Sequence, residues 1–166
     1  MKSVFTFFSI LLISGLVLSM APPAKKFKYK SEEGRMSVTF PGTFAEESSN
    51  TPESITHKIS TTVDEQIYFA SYTLHSTSLD GADNLDEVSL ESFVETIGGT
   101  VKRQSAWIVK GMKGIQATID APEVGSVMQY AVVLKGQLQY QLVVIAPVED
   151  WNPEAANAFI DSFKIK

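Results

Sequence analysis

Cysteine is absent from this sequence of 166 residues. The protein therefore has no disulfide, no thiolate nucleophile, no cysteine ligand for zinc and no cysteine to which a lipid could be attached. Without these covalent or metal-based supports, we expect the stability of the fold to come from side-chain packing.

Positive charge is also scarce. Arg35 and Arg103 are the two arginines of the sequence, whose net charge is -5 and whose pI is about 5.0. Binding to nucleic acid through phosphate neutralisation requires Lys and Arg side chains gathered on one face. The composition therefore predicts no nucleic-acid partner.

The motifs of the common catalytic and nucleotide sites are missing too. The sequence has no G-x-S-x-G turn for a nucleophilic serine and neither of the glycine-rich loops that cradle phosphates. Four acidic pairs have a simpler interpretation as solvated charges in turns and at helix starts, namely Glu32-Glu33, Glu46-Glu47, Asp86-Glu87 and Glu149-Asp150. We expect no cofactor and no enzymatic activity.

His57 and His75, the two histidines, could form a metal site only if strand pairing brings them to the same face. If Val63 faces Ile67, the histidines are diagonal neighbours; if Val63 faces Tyr68, they lie on opposite faces. The second register matches apolar with apolar residues, and we prefer it. It predicts a hydrogen-bonded, partly buried His57, an exposed His75 and no metal.

The N-terminal apolar run, residues 4–18, is shorter than most membrane-spanning helices and contains polar residues. It predicts a signal peptide over residues 1–21, followed by a linker at 22–26 and an exported domain, periplasmic or extracellular, at 27–166. After cleavage we expect no stable membrane insertion. An uncleaved anchor is the alternative, because Pro22 and Pro23 follow the expected cleavage site and several lysines follow the apolar run.

The remaining residues have the composition of one globular domain, with 44% apolar and 20% charged residues in the full chain. Alternating patterns predict a hairpin from Phe27–Tyr29 and Met36–Phe40, and a second from Ile55–Val63 and Ile67–His75. Between them, Glu46–Glu53 is polar and is predicted to be a loop.

The hydrophobic period then changes to that of a helix, in which Leu90, Phe93, Val94 and Ile97 share one face. Asn84 and Glu87 have capping-box spacing at its start, and Gly98-Gly99 follows its end. Four strands joined by short connections and a C-terminal helix complete the order of elements. The strands are predicted at 101–109, 114–121, 127–134 and 138–146, and the final helix is capped by Asn152 and has Ala156, Phe159, Ile160 and Phe163 on its apolar side.

This order predicts an α+β fold, an antiparallel sheet sandwich with two covering helices. Together with Gly34-Arg35-Met36-Ser37-Val38-Thr39-Phe40-Pro41 and Phe159-Ile160-Asp161-Ser162-Phe163-Lys164, it resembles the PsbP-like fold across nearly the whole mature domain. That superfamily includes the photosystem II extrinsic protein PsbP, the Ran-binding Mog proteins and bacterial exported proteins of the DcrB type, and the sequence is most similar to the last group. The resemblance implies a binding or accessory module without a shared catalytic apparatus.

Three functions are compatible with these observations. The preferred hypothesis is a monomeric accessory module that binds an unknown protein or envelope component, with Arg103 and Trp107 on one strand as a candidate contact surface. Trp107 is also expected to contribute to the core. A carrier of a small apolar ligand would need a cavity lined by residues such as Phe69, Tyr72 and Tyr130, and an enzyme would need a polar cleft around His57.

Overall fold

A computed structural model describes residues 25–166 of the chain. The predicted signal peptide and the first part of the linker lie outside these residues. The described chain forms ten strands and two α-helices in the order β1 (Phe27–Ser31), β2 (Met36–Phe40), β3 (Ala45–Asn50), β4 (Ser54–Val63), β5 (Gln66–His75), α1 (Leu85–Thr96), β6 (Thr100–Val109), β7 (Met112–Ala121), β8 (Ser126–Lys135), β9 (Leu138–Pro147), α2 (Pro153–Asp161) and β10 (Lys164–Ile165).

Two antiparallel sheets contain these strands. The large sheet has seven strands in the order β3-β4-β5-β9-β8-β7-β6, and the small sheet has three in the order β1-β2-β10. The predicted four-strand meander forms one side of the large sheet, where two-residue turns connect β6 to β7 and β8 to β9. An antiparallel sheet with two covering helices is the predicted α+β fold.

Side chains on the two faces of the large sheet form separate hydrophobic clusters. On one face, the small sheet and α2 enclose a core that includes Phe40, Ile59, Tyr140, Phe159 and Phe163. On the other face, Leu90, Phe93 and Val94 of α1 and Ile97, which follows the helix, pack against β7, β8 and β9. Both predicted helical stripes therefore cover sheet faces, because each side of a sheet buries alternate residues of its strands.

The ends of the helices only partly follow the sequence signals. Asn152 caps α2, since its side-chain oxygen accepts a hydrogen bond from the N–H of Ala155 at 3.0 Å. Gly98 has the predicted left-handed conformation after α1, with φ of 61°. The capping-box prediction for Asn84 is wrong: Asn84 is itself left-handed, and its side chain makes no capping hydrogen bond.

The segment predicted as a loop at Glu46–Glu53 is partly a strand. Residues 45–50 form β3, the outermost strand beside β4, and all six of its residues are exposed. Strand pairing alone defines this element, because backbone hydrogen bonds to β4 require no apolar side chains. The sequence signal was missing because β3 buries nothing.

The second hairpin has the predicted faces but a different register. Val63 faces Gln66 rather than Tyr68, because a turn of two residues, Asp64-Glu65, connects the strands. Both turn residues have positive φ, as this tight turn type requires. The shift by two positions retains the grouping of His57 with Tyr72 on one face, so the face assignment of the preferred register is confirmed.

The C-terminal residues add a strand that the sequence pattern did not reveal. Lys164 and Ile165 form β10 and pair with Ser37 and Met36 of β2. Ser162 holds the preceding helix end to the same strand, because its hydroxyl accepts a hydrogen bond from the N–H of Thr39 at 3.0 Å. No helix within residues 25–166 has the length and apolarity needed to cross a membrane.

Candidate functional site

A polar groove lies between the edge strand β6 and helix α2. It has a volume of about 390 Å³. We call it the β6–α2 groove, and it is lined by Arg103, Ser105, Gln116, Ala117, Thr118, Gln129, Trp151, Pro153, Asn157 and Asp161. The lining thus combines one cation, one carboxylate, three amides, two hydroxyls and a half-buried indole.

The strand side of the groove is organised by two hydrogen bonds. Gln116 donates from Nε2 to the hydroxyl of Ser105 at 3.1 Å, and Gln129 Oε1 accepts from the hydroxyl of Thr118 at 2.9 Å. Gln129 is buried, with 8% of its surface exposed. These bonds fix the two amide groups and leave Gln116 Oε1 as an acceptor and Gln129 Nε2 as a donor at the groove.

The helix side is positioned by the connection between β9 and α2. The N–H of Asn152 donates to Gln66 Oε1 at 3.2 Å, which holds the start of α2 against β5. Trp151 precedes this anchor and packs at the margin of the core formed on that face. Asn157 and Asp161, one helical turn apart, are both exposed and line the groove.

Arg103 and Trp107 lie on the same sheet face, as predicted, because they pair with Thr118 and Gly114 on β7 and alternate with Ser105. Their surroundings differ. Arg103 is exposed and lines the β6–α2 groove, whereas the Trp107 ring is 7% exposed and packs on Phe163 with centroids 5.4 Å apart. Trp107 is therefore a core residue, as the sequence favoured, and its edge also lines a neighbouring depression together with Asp161.

The second polar cluster joins the β1–β2 turn to the large sheet. His57 Nε2 lies 3.2 Å from Glu33 Oε2, and the Tyr72 hydroxyl donates to the same carboxylate oxygen at 2.9 Å. The His57 and Tyr72 rings stack with centroids 4.6 Å apart. His57 is thus partly buried, as predicted, and its ring lies beside a carboxylate, whereas the interpretation of Glu33 as a solvated turn charge missed both neighbours of that carboxylate.

Burial controls the titration of the tyrosines. It raises the pKa of Tyr72 to about 12, with a further contribution from the Glu33 carboxylate. Burial also raises the pKa of Tyr29, Tyr68, Tyr130 and Tyr140. In the opposite direction, the hydrogen bond and charge of Lys166 lower the pKa of Glu32. These tyrosines are core residues, so their packing accounts for the raised pKa values.

His75 was predicted to be exposed, and that prediction is wrong. It is half-buried, and its Nε2 lies 3.1 Å from Gln139 Oε1 on β9. His57 pairs with Tyr72 and His75 with Ser54, so the two histidines lie on opposite sheet faces. This separation overturns the hypothesis of a shared metal site, and across residues 25–166 no three His, Asp or Glu side chains are grouped to hold a metal ion.

The three residues proposed for a carrier cavity do not share one face of the sheet. Tyr72 lies in the core beneath the small sheet, whereas Phe69 and Tyr130 lie on the face covered by α1. Alternation along the strands enforces this separation. An apolar groove of about 330 Å³ exists elsewhere, at the surface between β2 and α2, where Phe40, Pro41, Tyr68 and Phe159 line it.

Solved structures resemble this architecture. The chain has a PsbP-like fold. It is similar to the solution structure of cyanobacterial PsbP (CyanoP) from Synechocystis sp. PCC 6803, with a TM-score of 0.63 and 7% sequence identity over 86% of this chain and 94% of that one. A crystal structure from Bacteroides thetaiotaomicron VPI-5482 is also similar, with a TM-score of 0.42 and 11% identity over 84% of this chain and 48% of that one.

Sequence comparison adds nothing to the structural likeness. No protein-family model matches the chain, and no curated protein matches it. The likeness therefore shows the fold and leaves the function to the side chains of this chain.

Sequence reasoning found Arg103 but missed most of the β6–α2 groove. The missed residues come from β7, β8 and α2, and their positions become related only after the sheet and helix pack. Trp151 carried a visible signal, because it immediately precedes the Asn152 cap and its large amphipathic ring can anchor a partner or pack in the core.

Proposed function

We propose that this protein is an exported, non-catalytic binding module that holds an envelope component or another protein in the β6–α2 groove. The observation that carries the proposal is the lining of this groove. It places Arg103 and Trp151, residue types enriched where proteins bind partners, beside amides with unused hydrogen-bonding capacity. The sequence supports export through its apolar N-terminal run at residues 4–18.

The groove lies at an exposed edge of the fold. β6 is the last strand of the large sheet, and its residues from Thr100 to Ala106 are exposed. A partner can therefore reach Arg103 and Ser105 without displacing core residues. Helix α2 forms the opposite wall and is fixed at its start by the Asn152 contacts.

Site-specific photo-crosslinking in native cells tests the proposal. The full chain, including its N-terminal segment, would carry a photoreactive amino acid in place of Asn157 in the groove or, as a control, in place of Glu91 on α1. Both positions are exposed helical positions. We expect a discrete crosslinked species from position 157 and none from position 91. Equal crosslinking at both positions would contradict the proposed site.

Export is tested on the same material. Mass spectrometry of the protein recovered from the envelope fraction should give an N-terminus close to Pro22, as expected for removal of residues 1–21. An intact Met1 in the membrane fraction would instead support the uncleaved anchor, and recovery from the cytoplasm would reject export.

A carrier of an apolar ligand is the second candidate, favoured by the groove between β2 and α2. Its floor, however, is already packed: the Phe159 ring lies 5.1 Å from Phe40 and 5.4 Å from Tyr68 between centroids. We therefore expect no lipid to remain bound through native mass spectrometry. A stoichiometric apolar ligand in the recovered protein would make the carrier the better function.

A further inference from the structure

The β6–α2 groove is lined by both hydrogen-bond donors and hydrogen-bond acceptors. Arg103 and Gln129 Nε2 donate, Asp161 and Gln116 Oε1 accept, and the Asn157 amide can do both. A ligand that satisfies such a surface must itself offer groups that donate and accept. Hydroxyl groups do this, because each carries one donor hydrogen and two acceptor lone pairs.

Trp151 supplies the apolar part of the groove. Its indole is half-buried against the core, so one part of the ring remains available at the groove wall. A flat aromatic surface beside polar groups favours a ligand with one apolar face and a polar rim. A pyranose ring has this character, since its C–H groups lie on its faces and its hydroxyls at its edge.

The charge of the lining points to a neutral ligand. Arg103 is its one cation and Asp161 its one carboxylate, so the two charges cancel. The formal charge of the whole chain is -5, which also disfavours a strongly anionic ligand. The volume of about 390 Å³ falls within the range of roughly 300 to 1,000 Å³ of small-ligand sites.

An extended peptide added to β6 as a new strand would fit less well. The β6–β7 register shifts between Val101 and Arg103, which marks an irregularity of the bulge type. Bulges and charged side chains at an edge strand discourage further strand pairing. The features of β6 thus protect its backbone edge while leaving the side chains of Arg103 and Ser105 at the groove.

We propose that the β6–α2 groove binds a neutral carbohydrate, with a sugar ring against Trp151 and its hydroxyls bonded to Arg103, Gln116, Gln129 and Asn157. This inference rests on the proposed binding function and specifies its ligand class. The sugar could come from a soluble oligosaccharide or from an envelope polysaccharide, and both sources present the same ring and hydroxyl chemistry.

The test uses the full chain recovered after expression with its N-terminal segment. Calorimetric titrations with neutral malto-, cello- and chito-oligosaccharides cover the soluble source, and co-sedimentation with insoluble polysaccharide from native envelopes covers the other. We expect saturable binding in at least one arm. The absence of binding in both arms would overturn the carbohydrate assignment.

Two variants locate the binding. Asn157→Ala removes an exposed amide from a helix without opening the core, and Arg103→Gln removes the cation from an exposed strand position. Each should weaken binding about tenfold, the effect of losing one hydrogen bond to the ligand. Gln104→Ala is the matched control, because Gln104 is exposed on the same strand and points to the opposite face. Equal affinities for all three variants would overturn the site.

Tryptophan fluorescence gives an independent readout. A Trp107→Phe background leaves Trp151 as the single tryptophan, so saturating sugar should change its emission if the ring packs on it. Unchanged emission at saturation would reject the role of Trp151. If no sugar binds but the Asn157 crosslink persists with a protein, the carbohydrate inference fails while the proposed binding function stands.

Discussion

Two glycines of the β6–β7 hairpin differ in what surrounds them. A Cβ at Gly114 would lie 2.1 Å from the backbone oxygen of Val132 and 2.9 Å from the Val133 Cβ, directly opposite the large Trp107 side chain. At Gly111, where φ is 80°, a Cβ would meet nothing within 4 Å. Gly114 is required because a larger side chain would collide with strand β8, whereas Gly111 is required because its backbone has a positive φ.

We expect Gly114→Ala to lower the free energy of unfolding by about 3 kcal/mol, because strands β7 and β8 would have to separate locally. Gly111→Ala should cost about 1 kcal/mol, the strain of a left-handed alanine. Urea unfolding followed by circular dichroism measures both. Equal costs for the two variants would contradict the close approach of Gly114 to β8.

Ionisation of Tyr72 should lower the stability of the fold at alkaline pH. Its pKa is raised from 10.0 to about 12, so between these values the folded chain retains a proton that the unfolded chain releases. The free energy of unfolding should therefore be unaffected below about pH 10 and fall as the pH rises from about 10 toward 12. Tyr72→Phe should make this decline shallower in urea titrations. An unchanged slope would show that other tyrosines govern alkaline unfolding.

The two helices show which signals could be read at the scale of elements. Both apolar stripes were predictable because a helix that covers a sheet repeats its buried residues at fixed spacing. The cap of α2 was also predictable, whereas the identical residue type before α1 adopts a left-handed conformation and offers no cap. A capping motif depends on the backbone conformation that precedes the helix, which local sequence does not determine.

This difference predicts opposite effects for two asparagines. Asn152→Ala should destabilise the protein by about 1 kcal/mol through loss of the bond to the Ala155 N–H. Asn84→Gly should not destabilise it, because glycine adopts the φ of 59° more readily than asparagine. Thermal melts of both variants provide the comparison, and a larger loss for Asn84→Gly would show that Asn84 has an interaction beyond its backbone conformation.

The strands that the sequence did not predict are those without an alternating pattern of buried and exposed residues. β3 is exposed at all six positions, and β10 contains two residues. Pairing with β4 and β2 determines their existence, so periodicity has nothing to detect. The long inner strands β5, β8 and β9 were predicted because their burial follows the sequence pattern.

At the scale of the whole molecule, the α+β sandwich could be predicted and the β6–α2 groove could not. The sheet follows from alternating residues within each segment, but the groove requires side chains from β6, β7, β8 and α2 to meet across the sheet. The pattern of a single strand, β6, predicted only that Arg103 and Trp107 share a face. The same limit applies to the cluster of Glu33, His57 and Tyr72, which joins a turn to two strands.

Residues 25–166 contain both hydrophobic clusters, and no group of His, Asp or Glu side chains in this range could hold a metal ion. We therefore make one prediction about the stability of this part of the chain. A chain beginning at Lys25 should be soluble and unfold in a single cooperative transition, because residues 25–166 contain both cores. Adding a chelator should leave the melting temperature unchanged. A melt that collapses with chelator would reject metal-free folding.

The position of β10 has a consequence for biosynthesis. Phe163 and Ile165 belong to the core beneath the small sheet, and β10 pairs with a strand made more than a hundred residues earlier. This core therefore cannot close during translation before residues 163–165 are free to pack. Until then, the emerging polypeptide exposes the edge of β2 that β10 covers and the apolar side chains that Phe163 and Ile165 contact.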